Sequence, residues 1–219
     1  TVGIEAYYQC EDQNTRNNAL IELFCQIINE ASYNVLRTQE QLGYIVFHGL
    51  RTQGNLNCLR FIIQSAKDPL FLDARIESFL KDFVPEYLDN LTEEEFEKYR
   101  KALIHDLTKK KKHLMSESRE IWSYIRDGLF EFEAASIDAK LLATDKTGKD
   151  AVKAFFGLFI HPDSPKRIKL AAHVWSNQAS AAPLSEYSNI KNLRVFTSRQ
   201  ALLEEIRPAA FPSAFDLQE

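Results

Sequence analysis

Arg37 and Tyr44 are the residues of this chain whose types and spacing most directly offer chemistry. They bracket the stretch Arg37-Thr38-Gln39-Glu40-Gln41-Leu42-Gly43-Tyr44, seven positions apart and just ahead of a β-rich run. That separation is close to two α-helical turns, so a helical stretch would aim a guanidinium and a phenol in one direction. Such a pair can donate hydrogen bonds to a peptide carbonyl or stabilise the charge that develops on it during hydrolysis. Spacing alone also accommodates a core-facing Tyr and an Arg held in a structural ion pair.

Other chemistries lack their residues. The five histidines, His48, His105, His113, His161 and His173, are far apart, and none lies in an HExxH or inverted HxxEH arrangement. Zinc therefore has no recognisable site in this chain. His113 and Glu117 share the i, i+4 spacing of a helix face, but without a third ligand they read as a surface pair. Seven glycines supply neither a GxSxG elbow nor a glycine-rich phosphate loop. The run Lys109-Lys110-Lys111-Lys112-His113 has no interleaved aromatics and suits a solvated helix end, where cations complement the dipole. A net charge of −4 gives no global attraction for nucleic acid or an anionic membrane, so any anion site would be local. Cys10, Cys25 and Cys58 are odd in number and widely spaced, which excludes a disulfide framework using all of them and favours a reducing compartment. No apolar stretch approaches the roughly 20 residues of a membrane span, and no signal peptide opens the chain. Its first residues, Thr1-Val2-Gly3-Ile4-Glu5-Ala6-Tyr7-Tyr8, read as a strand, as expected of a piece of a longer polypeptide.

The positioning elements follow from periodicity. A strand is expected over about Val2 to Cys10, where Ile4, Ala6 and Tyr8 alternate with Glu5 and Tyr7. A helix is expected from about Thr15 to Ala31, because Leu20, Leu23, Phe24, Ile27 and Ile28 recur as one stripe that a core should bury. Tyr33 to Leu42 is shorter and more polar, and Gly43 stops it. Tyr44-Ile45-Val46-Phe47-His48 and Leu59 to Ser65 then read as a hairpin around Arg51-Thr52-Gln53-Gly54-Asn55. A second helix should begin near Pro69, carry Leu72, Ile76, Phe79, Leu80 and Phe83, and end or kink at Pro85. Thr92-Glu93-Glu94-Glu95 has the form of a capping box and should open a third helix with Phe96, Tyr99, Leu103 and Leu107 as its stripe. Helices are also expected at Ser116 to Phe130, with Ile121, Trp122, Ile125 and Leu129, and at Thr147 to Phe159, with Val152, Phe155, Phe156 and Phe159. A last strand runs through Arg167 to Ser176, where Ile168, Leu170, Ala172 and Val174 alternate with Lys169 and His173.

This order of strand, helix, hairpin, helices and strand gives an α+β fold: two layers, with a mostly antiparallel sheet and helices packed on one face. The reading places one domain at 1–178. Residues 179–219, rich in Ala, Ser and Pro, form a C-terminal tail packing on the domain or on a missing partner, with structure expected only at Leu193 to Phe196 and Ala201 to Ile206.

Four stretches, Glu22 to Ile28, Leu36 to Phe47, Leu59 to Ser65 and Leu91 to Glu94, resemble in order and spacing the pitrilysin and insulysin family of inverted-motif zinc metalloendopeptidases. The likeness is strongest to the last of that family's four homologous domains, and it runs from about Gly3 to Trp175. It implies a non-catalytic C-terminal domain that encloses peptide substrates and lends Arg37 and Tyr44 to the active site of a zinc-bearing N-terminal half. The zinc and the catalytic residues would then lie in that missing half, on the same polypeptide, and none in this chain. The implied partners are that half and peptide substrates; a homodimer is compatible, and no nucleic acid or membrane is implied. The ending Asp216-Leu217-Gln218-Glu219 lacks the peroxisomal tripeptide of some relatives, which favours the cytoplasm. The alternative is a proteolytically inactive assembly or binding module of the same fold, which would have no reason to keep both Arg37 and Tyr44.

Overall fold

The computed structural model describes residues 1–10, 14–53, 56–126, 128, 130, 132–176, 194–198 and 200–201. The chain divides into two units, Thr1–Ser176 and Asn177–Glu219. In the second unit 194–196 is neither helix nor strand, while Leu193 and 202–206, where structure was also expected, lie outside the described residues.

The first unit is α+β. Strands β1 (Val2–Gln9), β2 (Ile45–Gln53), β3 (Leu56–Ser65) and β4 (Ile168–Val174) form one sheet in the order β2-β3-β1-β4. Every neighbouring pair is antiparallel. The hairpin strands run farther than their apolar cores suggest, so Arg51 to Gln53 belongs to β2 and pairs with β3 instead of forming the loop. On one face Ile4, Ala6 and Tyr8 meet Leu59, Phe61 and Ile63, all buried.

Helix α1 (Thr15–Ser32) covers that face. Asn14 caps it, its side chain accepting from the Asn17 N–H at 2.9 Å, which satisfies an otherwise orphaned donor. The expected stripe of Leu20, Leu23, Phe24, Ile27 and Ile28 is buried. Ile21 and Cys25 on the opposite side are buried too, because α6 (Ala134–Leu142) and α7 (Lys149–Phe159) pack there, with Phe24 and Phe156 stacked at 5.3 Å. Val152, Phe155, Phe156 and Phe159 are the buried stripe of α7, as its periodicity requires.

Helix α2 (Pro69–Ser78) starts at Asp68, which accepts from the Leu70 and Phe71 N–H groups. It does not stop at Pro85. The helical run continues through a π-helical turn, Phe79–Phe83, into α3 (Val84–Asn90). A proline ring collides with the carbonyl four residues back and donates nothing, and the wider turn just before it absorbs both demands. The capping box opens α4 (Glu93–Thr108): Glu95 N–H donates to Thr92 Oγ1 at 3.2 Å, and Thr92 N–H donates to Glu95 Oε2 at 3.0 Å. Helix α5 spans Leu114–Arg126, and Leu129 lies outside the described residues. Helix α6 has no counterpart in the sequence reading.

In β4 the apolar set Ile168, Leu170 and Val174 faces away from the helices and is exposed, while Lys169 and His173 point inward. There Lys169 meets Asp73 and Glu77 of α2, Arg167 meets Glu77, Tyr8 donates to Glu77 at 3.0 Å, and His173 Nε2 lies 3.5 Å from Asp73. β4 is an edge strand, and inward-pointing charge is one way such strands resist pairing with foreign strands.

Candidate substrate-facing site

The segment carrying Arg37 and Tyr44 continues α1. After Ser32 the backbone widens into a seven-residue π-helix, Tyr33–Gln39, in which buried Val35 and Leu36 hold the segment to the core and Arg37 emerges half-buried. The helix ends at Gln39, and the chain turns through Gln41 at φ 50, so helical phase does not carry from Arg37 to Tyr44 as a continuous helix would.

The turn is pinned at each step. Glu40 N–H donates to Val35 O at 2.9 Å and Leu42 N–H to Leu36 O at 3.1 Å. The Glu40 carboxylate takes a two-pronged ion pair from Arg75 at 2.7 and 2.8 Å, and its carbonyl accepts from Lys67 Nζ at 3.1 Å. Ser65 Oγ donates to Leu42 O, and Tyr44 N–H donates to Gln64 O at 3.1 Å. A Cβ on Gly43 would stand 2.1 Å from Gln64 O, so glycine alone lets the turn lie this close to β3. From this clamped base the Tyr44 side chain projects 86% exposed. Neither its hydroxyl nor the Arg37 guanidinium has a partner among the described residues. Two strong donors are thus held on a fixed backbone with free valences.

Beside them runs a groove of about 550 Å³ that the sequence reading missed. Gln26, Asn29, Glu30, Tyr33, Asn34 and Thr38 line it, with Tyr99 of α4 opposite. Most continue one polar stripe at steps of three and four along α1 and its π extension, which is the signal that could have found it. Its amides and hydroxyls both donate and accept, as an extended peptide backbone requires.

The histidines do not assemble. His48 lies between β2 and α1: its Nε2 faces Cys25 O at 3.2 Å and its Nδ1 faces Ser32 Oγ at 2.6 Å. A proton on Nε2 satisfies the carbonyl and leaves Nδ1 to accept from Ser32. Burial disfavours a charged ring and pushes the His48 pKa down. The serine–histidine pair nonetheless has no room for a substrate, since Ser32 is 2% exposed. His161 Nδ1 accepts from Asp163 N–H, and His173 is turned toward Asp73. Among the described residues no three His, Cys, Asp or Glu side chains stand where they could hold a metal ion, so these residues do not fit zinc.

The comparisons with known proteins align with this frame. A family model described as the C-terminal lobe domain 4 of PQQ synthase PqqF-like proteins matches residues 23–122. The chain is 40% identical over 182 residues to the insulin-degrading enzyme of Bos taurus, a match covering 83% of this chain and 18% of that protein. It is 36% identical over 176 residues to a nardilysin-like protein of Arabidopsis thaliana, covering 78% of this chain and 17% of that one. The crystal structure of pitrilysin superposes on 83% of the chain with a TM-score of 0.66 at 23% identity, over 19% of its own length. The chain therefore spans less than a fifth of the length of these relatives.

Proposed function

Because the chain belongs to the pitrilysin and insulysin family, as its C-terminal, fourth type of domain, we propose that it is the zinc-free domain of an insulin-degrading-enzyme-like metalloendopeptidase. In this reading it closes over a zinc-bearing half, and Arg37 and Tyr44 donate to the scissile carbonyl as its oxygen gains negative charge. The observation that carries the reading is the pair of unpartnered donors, Arg37 and Tyr44, on a turn locked by Gly43 and the Arg75–Glu40 fork. A structural pair would have found partners in the core. The neighbouring groove suits the peptide backbone on either side of the scissile bond.

The test is made in the full-length, zinc-bearing polypeptide. Tyr44→Phe removes one donor and should lower kcat by roughly 10²-fold, with a smaller change in KM and unchanged zinc content. Arg37→Lys should not restore function to an Arg37 deletion series, because a flexible point charge does not reproduce the planar fork. Turnover unaffected by Tyr44→Phe would favour the inactive assembly module instead.

A further inference from the structure

We propose that α5 (Leu114–Arg126) is the surface by which a further domain of the same polypeptide grips this chain, and that the gripping face is apolar at its centre with carboxylates along one edge. The inference rests on reading the chain as one domain of a longer peptidase.

Helix α5 buries none of its residues. Leu114, Ile121, Trp122 and Ile125 nevertheless fall on one stripe at helical spacing, with Met115 beside them, and Trp122 is 61% exposed. Every other long helix of the domain turns its apolar stripe onto the sheet or onto α1, so a stripe of this kind facing water is the exception. An isolated helix of about 12–15 residues is marginal in water, and most of its stability comes from packing the apolar side. A 13-residue α5 therefore needs a cover.

Charge says what the cover is like. The stretch 109–126 carries Lys109, Lys110, Lys111, Lys112, Arg119 and Arg126 against Glu117 and Glu120, a net positive segment in a chain of net charge −4. Only Lys111 of the four lysines is paired, with Glu120. Lys109, Lys110 and Lys112 are exposed and unpartnered among the described residues. Basic side chains lining one end of an apolar stripe select a partner whose apolar patch is edged by carboxylates. The length of the relatives says where such a partner comes from. More than four-fifths of each lies outside the part this chain matches, and a surface tethered on the same polypeptide acts at high effective concentration.

Hydrogen exchange compares the 219-residue chain with the full-length polypeptide. The amides of 114–126 should exchange at least about tenfold more slowly in the full-length protein, and Trp122→Glu should return them to the rate seen in the chain alone. Neither change should alter zinc content, since Trp122 is no ligand. Equal exchange in both proteins overturns the inference, as does a native product no longer than this chain. Protection that already exists in the chain alone and grows with its concentration assigns the face to a second copy and also overturns it. Binding of the chain to phosphatidylserine vesicles, with α5 unprotected in the full-length protein, overturns it in favour of a lipid surface. Protected α5 in a full-length protein without zinc or peptidase activity would leave the inference standing and remove the functional reading instead.

Discussion

Glu22 sits on α1 with its Oε2 sealed from solvent and without a hydrogen-bond partner among the described residues. Burial first, and the Asp138 carboxylate second, push its carboxyl up to about 7. An ordinary Glu titrates near about 4.3, so between these values the folded chain keeps a proton that the unfolded chain releases. The stability tied to that proton is complete below the unfolded value and is lost as pH rises through about 7. Glu22→Gln is expected to raise the unfolding free energy at about pH 8 by roughly 2–3 kcal/mol and to flatten the slope below neutrality, as denaturant titrations at several pH values would read. At the same scale, Tyr44→Phe should change the stability of the chain by less than about 1 kcal/mol, because its exposed hydroxyl touches nothing. Arg37 and Tyr44 were legible in the sequence because donor types next to a strand start are informative by themselves. The state of Glu22 was not, because its spatial neighbour arrives from a helix 112 or more residues later, at Ala134–Leu142. Gly43 reads in sequence as a stop signal, whereas its close approach to Gln64 O exists only once β3 is in place.

Elements were legible where one periodicity decides them. In α1 every residue of the expected stripe is buried, and Phe24→Ala should cost about 3–5 kcal/mol by lost burial and an unfilled cavity against Phe156. Helix α6 escaped because its first residue follows Glu133 with no side-chain cap, and only Ala139 and Leu142 of its short span are buried. The face of β4 was not decidable from its alternation, since either set can point inward when an ion network replaces an apolar contact. In that network burial works to raise the Asp73 carboxyl, but the His173 hydrogen bond and the Lys169 charge outweigh it and hold the carboxyl below the usual carboxylate range. A depressed carboxyl contributes stability that is present above its unfolded pKa of about 3.9 and is lost as pH falls through the folded one. Asp73→Asn should therefore weaken the chain near neutrality and shrink the loss of stability on acidification, and exchange at the β4 amides would report it first.

At the scale of the whole molecule, the sheet, the covering helices and the clamped turn make a scaffold that positions donors and supplies no attacking group. The 219-residue chain alone is expected to hold well under one equivalent of zinc after dialysis and to hydrolyse no peptide, because a catalytic zinc commonly needs about three protein ligands. One tightly held equivalent together with turnover would contradict that expectation. No described helix is long and apolar enough to cross a membrane.

The π-helix at Tyr33–Gln39 makes this stretch intolerant of changes in length in a way that its composition does not announce. Its bonds skip one residue more than an α-helix, as Glu40 N–H to Val35 O does. Deleting one residue there lets the segment relax to ordinary α pitch and rotates whatever follows by about 100°. Val35 and Leu36 would still find the core, while Arg37 and the start of the turn would swing off their present bearing. A codon lost between Tyr33 and Gln39 should thus leave a folded protein with an idle site, whereas one inserted in the loop after Asp163 should pass unnoticed.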